Sequence, residues 1–116
     1  MSVREGCLFC RVVAGEVPAH VVHETERVIA FRDIAPAAPT HVLVVPRDHH
    51  DDVDALVAAD PGLVGELLVA AVEVARAQGL DGGHRLVVNT REHGGQTVRH
   101  LHVHVLGGRG LGWPPG

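Results

Sequence analysis

The chain has 116 residues, with 10 Lys and Arg against 14 Asp and Glu for a formal net charge of −4. That length makes one domain able to bury roughly two-thirds of its unfolded surface, and mild acidity without a Lys/Arg cluster argues against polymeric nucleic acid as a partner. No segment is long and apolar enough to span a bilayer, and MSVREGCLFCRVV carries neither a long apolar stretch nor a cleavage-like site, so a cytoplasmic protein with no membrane partner is expected.

In chain order, Leu8 to Gly15 reads as a short helix ended by Val17-Pro18. His20 to Thr25 and Arg27 to Asp33, rich in Val, Ile and Phe, read as a hairpin, and DIAPAAPTH as a loop. His41 to Val45 is an apolar strand closed by Pro46. Asp60 as N-cap and Pro61 at the first helical position open the main helix, with Leu63, Val64, Leu67, Leu68, Ala71, Val72 and Ala75 as its apolar face and Gly79 as its end. His84 to Asn89 and Arg99 to Leu106 supply the last strands. The expected fold is α+β: an antiparallel sheet of about five strands, one main helix and a short N-terminal helix. A single domain over residues 1–116 would end in an irregular tail, 107–116, rich in Gly and Pro. Tyr is absent, so the core is aliphatic and the aromatics Phe9, Phe31 and Trp113 are candidates for special roles.

The segment QTVRHLHVHVLGG carries the chemistry. In a strand, alternate side chains share a face, so His100, His102 and His104 line one surface while Leu101, Val103 and Val105 bury the other. Imidazole titrates nearest neutrality and serves as nucleophile, proton donor or metal ligand. Immediately before it, Gly94-Gly95-Gln96-Thr97 is a turn whose glycines allow successive N–H groups to cup an anion. A phosphate held against an imidazole is the reading these neighbours suggest. A zinc ion on all three histidines is the rival, because side chains at i, i+2 and i+4 can converge. Cys7 and Cys10 form a C-x-x-C pair, unlike a structural disulfide in a reducing compartment.

QTVRHLHVHVLGG resembles the signature of the histidine triad (HIT) superfamily, and CLFCRVVAGEVPA, FRDIAPAAPTHVLVVPRDH, LVVNTREHGGQTV and LGGRGLGWPPG resemble its nucleotide-binding, phosphoramidase-like branch in the same order. The resemblance implies a nucleotidyl hydrolase cleaving purine nucleoside 5′-phosphoramidates of the AMP-amine or AMP-lysine type. His102 would attack phosphorus and form a nucleotidyl-histidine intermediate; His104 would manage protons, with His100 and His41 behind them. Asn89, Gly95, Gln96 and Thr97 match positions contacting the phosphate or leaving group. Thr97 stands where relatives often have serine. Asp33 matches an acid that binds the ribose hydroxyls, and Leu8, Phe9, Val12, Phe31, Ile34 and Leu43 the apolar slot for the base. Trp113 matches a tail residue lining the leaving-group pocket of a symmetric homodimer.

The same resemblance implies structural zinc, with no cofactor for the chemistry, on Cys7, Cys10, His49 and His100. His50 is an alternative ligand, and a His100 on zinc anchors the segment that aims His102 instead of shuttling protons. Arg99 departs from the aromatic of some relatives. Glu92-His93 lies where relatives vary, and His20, His23, His84 and His93 are assigned no catalytic task. Beside the phosphoramidase stand a dinucleoside polyphosphate hydrolase of the same superfamily and a non-catalytic nucleotide-binding or scaffold protein.

Overall fold

The computed structural model describes Arg4 and residues 6–116. Its elements are α1 (Leu8–Val13), β1 (Val21–Glu24), β2 (Val28–Arg32), β3 (Thr40–Pro46), α2 (Val53–Ala59), α3 (Pro61–Ala77), β4 (His84–Val87) and β5 (Val103–Gly107). The five strands form one antiparallel sheet in the order β1-β2-β3-β5-β4. The α+β expectation is met, with one helix more than the sequence announced.

That extra helix, α2, is capped by Asp52, whose side chain accepts from the Ala55 amide at 2.9 Å. The proline at 61 forces Asp60 into an extended conformation (φ −157°, ψ 76°), which separates α2 from α3. Asp60 holds the N-cap position of α3 but makes no capping bond; its carboxylate is taken by Arg27 instead.

Each face of the sheet has its own apolar layer. On one, Val28, Ala30, Val42, Val44, Val103 and Val105 pack against Leu63, Leu67, Ala70, Ala71 and Val74 of α3. The buried face of α3 therefore runs through Ala70 and Val74, and the expected Leu68 and Val72 are 45% and 37% exposed. On the other, Ile29, Phe31, Leu43 and Val45 pack against Phe9 and Val12 of α1. Because β3 is covered on both sides, it is buried from end to end.

The last strand starts later than expected. Regular pairing begins at Val103, not Arg99, since the Leu101 amide donates to the His50 carbonyl (2.7 Å) outside the ladder. The alternation survives all the same: Leu101, Val103 and Val105 all sit in the α3 layer, leaving the histidines to the α1 side. From Gly108 onward the tail has no regular structure, but Arg85 holds the Gly112 carbonyl (2.6 Å) and Arg109 the Ala37 carbonyl (3.1 Å).

Candidate active site and metal centre

On the α1 face, β3 contributes His41 and β5 contributes His104, with Leu43 paired directly opposite His104. His102 precedes β5 and is buried, its ring 4.9 Å from that of His104 and 5.0 Å edge-on to Phe9. Hydrogen bonding decides which nitrogen of each ring holds the proton. His102 Nδ1 lies 2.8 Å from the His100 carbonyl, which can only accept. Nδ1 is therefore protonated and Nε2 keeps its lone pair. The Ala37 amide donates to His41 Nδ1 at 3.0 Å, so neutral His41 carries its proton on Nε2. That Nε2–H faces His104 Nδ1 at 2.9 Å, and Asp33 Oδ2 lies 3.5 Å from it. Neutral His104 is thus left with its proton on Nε2. The pair offers one lone pair (His102) and one N–H (His104).

Burial keeps both rings neutral. It pushes His102 below the usual imidazole range, and it lowers His104 to about 4, with the neighbouring His102 and His41 adding to the effect and Asp33 opposing it. An arriving anion would counter that depression and favour a protonated ring.

Flanking this pair is the apolar layer that gathers Phe9, Val12, Phe31 and Leu43, with Phe9 and Phe31 edge to face at 5.5 Å. Leu8 and Ile34 are not packed into it: they stand 45% and 98% exposed. Asp33 accepts from the Ala35 amide at 2.8 Å through Oδ1. Trp113 is 84% exposed in the tail.

The loop between β4 and the triad closes on itself. Arg91 adopts a left-handed conformation (φ 58°), and its amide donates to Gln96 Oε1 while the Gln96 amide donates to the Arg91 carbonyl. Gln96 Nε2 donates to the carbonyls of Asp51 (2.7 Å) and Val98 (2.9 Å), so that side chain is occupied in bracing the turn. Asn89 Nδ2 donates to the Gly94 carbonyl at 2.7 Å. Arg91 also pairs with Asp52 (3.2 Å) and Asp54 (2.9 Å) of the α2 start. Gly95 and Thr97 are exposed, but the Gly95 amide donates to the Glu92 carbonyl (3.0 Å), so the Gly95 and Gln96 N–H groups are spent inside the turn and do not form the expected cup of successive free amides.

Behind the triad lies the second cluster. His49 Nδ1 is 3.3 Å from Cys10 Sγ, and His100 Nδ1 is 3.4 Å from Cys7 Sγ and 3.5 Å from Cys10 Sγ. The four ligand atoms lie within 4.8 Å of one another. Zn–S and Zn–N bonds of about 2.3 and 2.0 Å give a tetrahedron with S···N edges of about 3.5 Å, which these distances match. The tautomers match too. His49 Nε2 faces Asp51 Oδ1 (2.7 Å) and His100 Nε2 faces the Pro46 carbonyl (2.9 Å), so both rings turn a lone pair toward the sulfurs. Burial holds His100 neutral, down to about 4, and pushes the Cys10 thiol up; a bound dication reverses the second effect. Between His49 and His50, the ring in the cluster is His49's; His50 offers its carbonyl to Leu101.

The triad does not converge on one ion. His100 faces the sulfurs, whereas His104 faces His41. The geometric group Asp33, His41 and His104 is also a poor ion site, because a metal on His41 Nε2 would drive its proton to Nδ1, against the Ala37 N–H. Sequence reasoning overlooked Asp51, Asp52 and Arg91. The acidic run DDVD, an N-cap signature ahead of ALVAA, was the available signal for the first two.

The HIT domain family model matches residues 14–111. The chain belongs to the HIT domain family. It is similar to an uncharacterized HIT-like protein of Synechococcus elongatus, 45% identical over 112 residues, covering 97% of this chain and 98% of the relative. It is likewise 45% identical over 112 residues to a 14 kDa zinc-binding protein of Zea mays, covering 94% of this chain and 87% of that one. The crystal structure of a HIT family hydrolase from Legionella pneumophila Philadelphia 1 matches with a TM-score of 0.92 and 46% identity, over 96% of this chain and all of that one.

Proposed function

We propose that this HIT protein is a nucleotidyl hydrolase that cleaves purine nucleoside 5′-phosphoramidates of the AMP-amine or AMP-lysine type. The observation that carries the reading is the complementary tautomer pair, an Nε2 lone pair on His102 beside a protonated Nε2 on His104. The Legionella relative, described as a hydrolase, supports it. In the first step His102 Nε2 attacks phosphorus, and the P–N bond breaks as the amine takes a proton. His104, its pKa raised by the bound phosphoryl anion, supplies that proton, and His41 with Asp33 stabilises the charge that passes through His104. Water then cleaves the nucleotidyl-histidine and AMP leaves.

Phe9, Val12, Phe31 and Leu43 receive the base, Leu8 and Ile34 border it, and Asp33 binds the ribose. Asn89, Gly95 and Thr97 hold the phosphate. Gln96 acts through its bracing bonds. Trp113, from the tail, borders the leaving group in a homodimer, and the protein works in the cytoplasm. Cys7, Cys10, His49 and His100 would hold zinc, which would supply structural rigidity and no part of the chemistry; the similarity to a zinc-binding protein of Zea mays supports this.

The test is AMP release from adenosine 5′-phosphoramidate, with His102→Ala beside the wild type. Release that depends on His102 sustains the reading. Release from neither sinks it in favour of a binding protein, and preference for a dinucleoside polyphosphate in direct competition would move it to the sister hydrolase class.

A further inference from the structure

Resting on the zinc reading above, we infer that Asp51 is the positioning residue through which the Cys/His cluster and the phosphate loop hold each other in place. Asp51 lies outside both sets of assigned residues, yet it touches each. Its Oδ1 accepts from His49 Nε2 at 2.7 Å, on the far side of that ring from Cys10. A carboxylate there fixes the ring's orientation and tautomer, so that Nδ1 alone can ligate, and it makes the ring a better donor. Its backbone carbonyl accepts from Gln96 Nε2 at 2.7 Å, and Gln96 in turn closes the 91–96 turn through the Arg91 amide.

The flanking residues reinforce the same junction. The His50 carbonyl receives the Leu101 amide, between the two triad histidines that serve different clusters. Asp52 caps α2 and pairs with Arg91. Arg4 and Arg99 approach the Asp51 carboxylate from solvent, at 3.4 and 3.6 Å. These pairs are exposed and contribute little. The His49 bond is different, because that ring is almost wholly buried (3% exposed side chain) and the Asp51 carboxylate is the acceptor its Nε2–H faces.

The inference is tested on the full chain by zinc competition against a chromophoric chelator, for wild type, Asp51→Ala, Asp51→Asn and Arg99→Ala. Asp51→Ala should loosen zinc by about 10–100-fold, the usual cost of removing a carboxylate behind a ligating histidine. Asp51→Asn, whose amide oxygen still accepts from His49, should recover part of that loss, and Arg99→Ala should stay within about threefold of wild type. The visible spectrum of the cobalt-substituted protein should change in Asp51→Ala, since His49 is free to turn. A fold-stability role for Asp51 would instead lower the melting temperature of the metal-free protein and leave the zinc constant and the cobalt spectrum alone. Zinc affinity in Asp51→Ala equal to wild type overturns the role of Asp51 while leaving the metal centre standing. A wild type that binds no zinc overturns the metal centre itself.

Discussion

Gly94 offers the sharpest test of the phosphate loop, because the structure sets the size of the perturbation. A Cβ at this position would lie 2.4 Å from the Thr90 carbonyl oxygen and 2.7 Å from the Thr90 nitrogen, both backbone atoms that cannot swing away. Restoring ordinary contact near 3.4 Å requires the two strands of the turn to part by about 1 Å. That displacement also strains the Asn89 Nδ2 bond to the Gly94 carbonyl, now 2.7 Å. A misplacement of about 1 Å in groups that position a reacting phosphate costs on the order of 100-fold in rate. Gly95→Ala is the comparison without a backbone clash: its Cβ would meet Asn89 Nδ2 at 3.8 Å, and its penalty comes from φ +81°, about 1–2 kcal/mol. Steady-state AMP release from adenosine 5′-phosphoramidate should therefore fall about 100-fold in kcat/KM for Gly94→Ala, well beyond the loss in Gly95→Ala. A Gly94→Ala enzyme as active as wild type would refute the idea that this loop holds the phosphate.

Phe9, 5% exposed and packed on Phe31 and His102, should cost about 3–5 kcal/mol of stability when truncated to Ala, read by urea denaturation; a loss under 1 kcal/mol would mean the layer over the histidines is loose. Zinc-free protein should weaken steadily between about pH 6.5 and pH 4. His100 and His104 sit near 4 when folded against 6.5 unfolded, so the unfolded chain binds protons first and stability is lost as pH falls. Buried His100 alone accounts for on the order of 3 kcal/mol, and a flat stability across that window in chelator-treated protein would contradict the assignment. Cys7→Ser should lower zinc content and melting temperature more than it lowers the rate of histidine nucleotidylation, measured by metal analysis and single-turnover kinetics; unchanged zinc would remove Cys7 from the cluster.

The strands were legible because Val- and Ile-rich runs between turn residues admit few other structures, and the buried β3 reads as an unbroken apolar run. The helices were harder, for a reason specific to this composition. α3 is apolar around most of its circumference, with Val64, Leu68, Val69 and Val72 as eligible as Ala70 and Val74, so periodicity could not select the face that meets the sheet. In α2 only Leu56 is buried, which leaves almost no periodic signal; its evidence was the cap. The onset of β5 was misplaced because alternation reports which side a residue faces, and His100, Leu101 and His102 alternate without pairing in the ladder.

Residue types and spacing suggested the C-x-x-C pair and the shared histidine face, and the family resemblance the full metal cluster, but neither gave the directions in which the rings present their nitrogens. Those directions come from main-chain groups far from any motif: the Pro46 carbonyl behind His100, the Ala37 amide behind His41, and the His100 carbonyl behind His102. The last of these ties the two sites together. One residue turns its ring to the sulfurs and its carbonyl to His102, an arrangement open to it because the segment leaves the ladder before Val103. A fully paired strand would share the His100 carbonyl with a neighbouring amide, in competition with His102 Nδ1. The late start of β5 therefore leaves the His100 carbonyl undivided for His102, and a substitution that extended the pairing back to His100 would be expected to weaken that orienting bond without touching a histidine side chain.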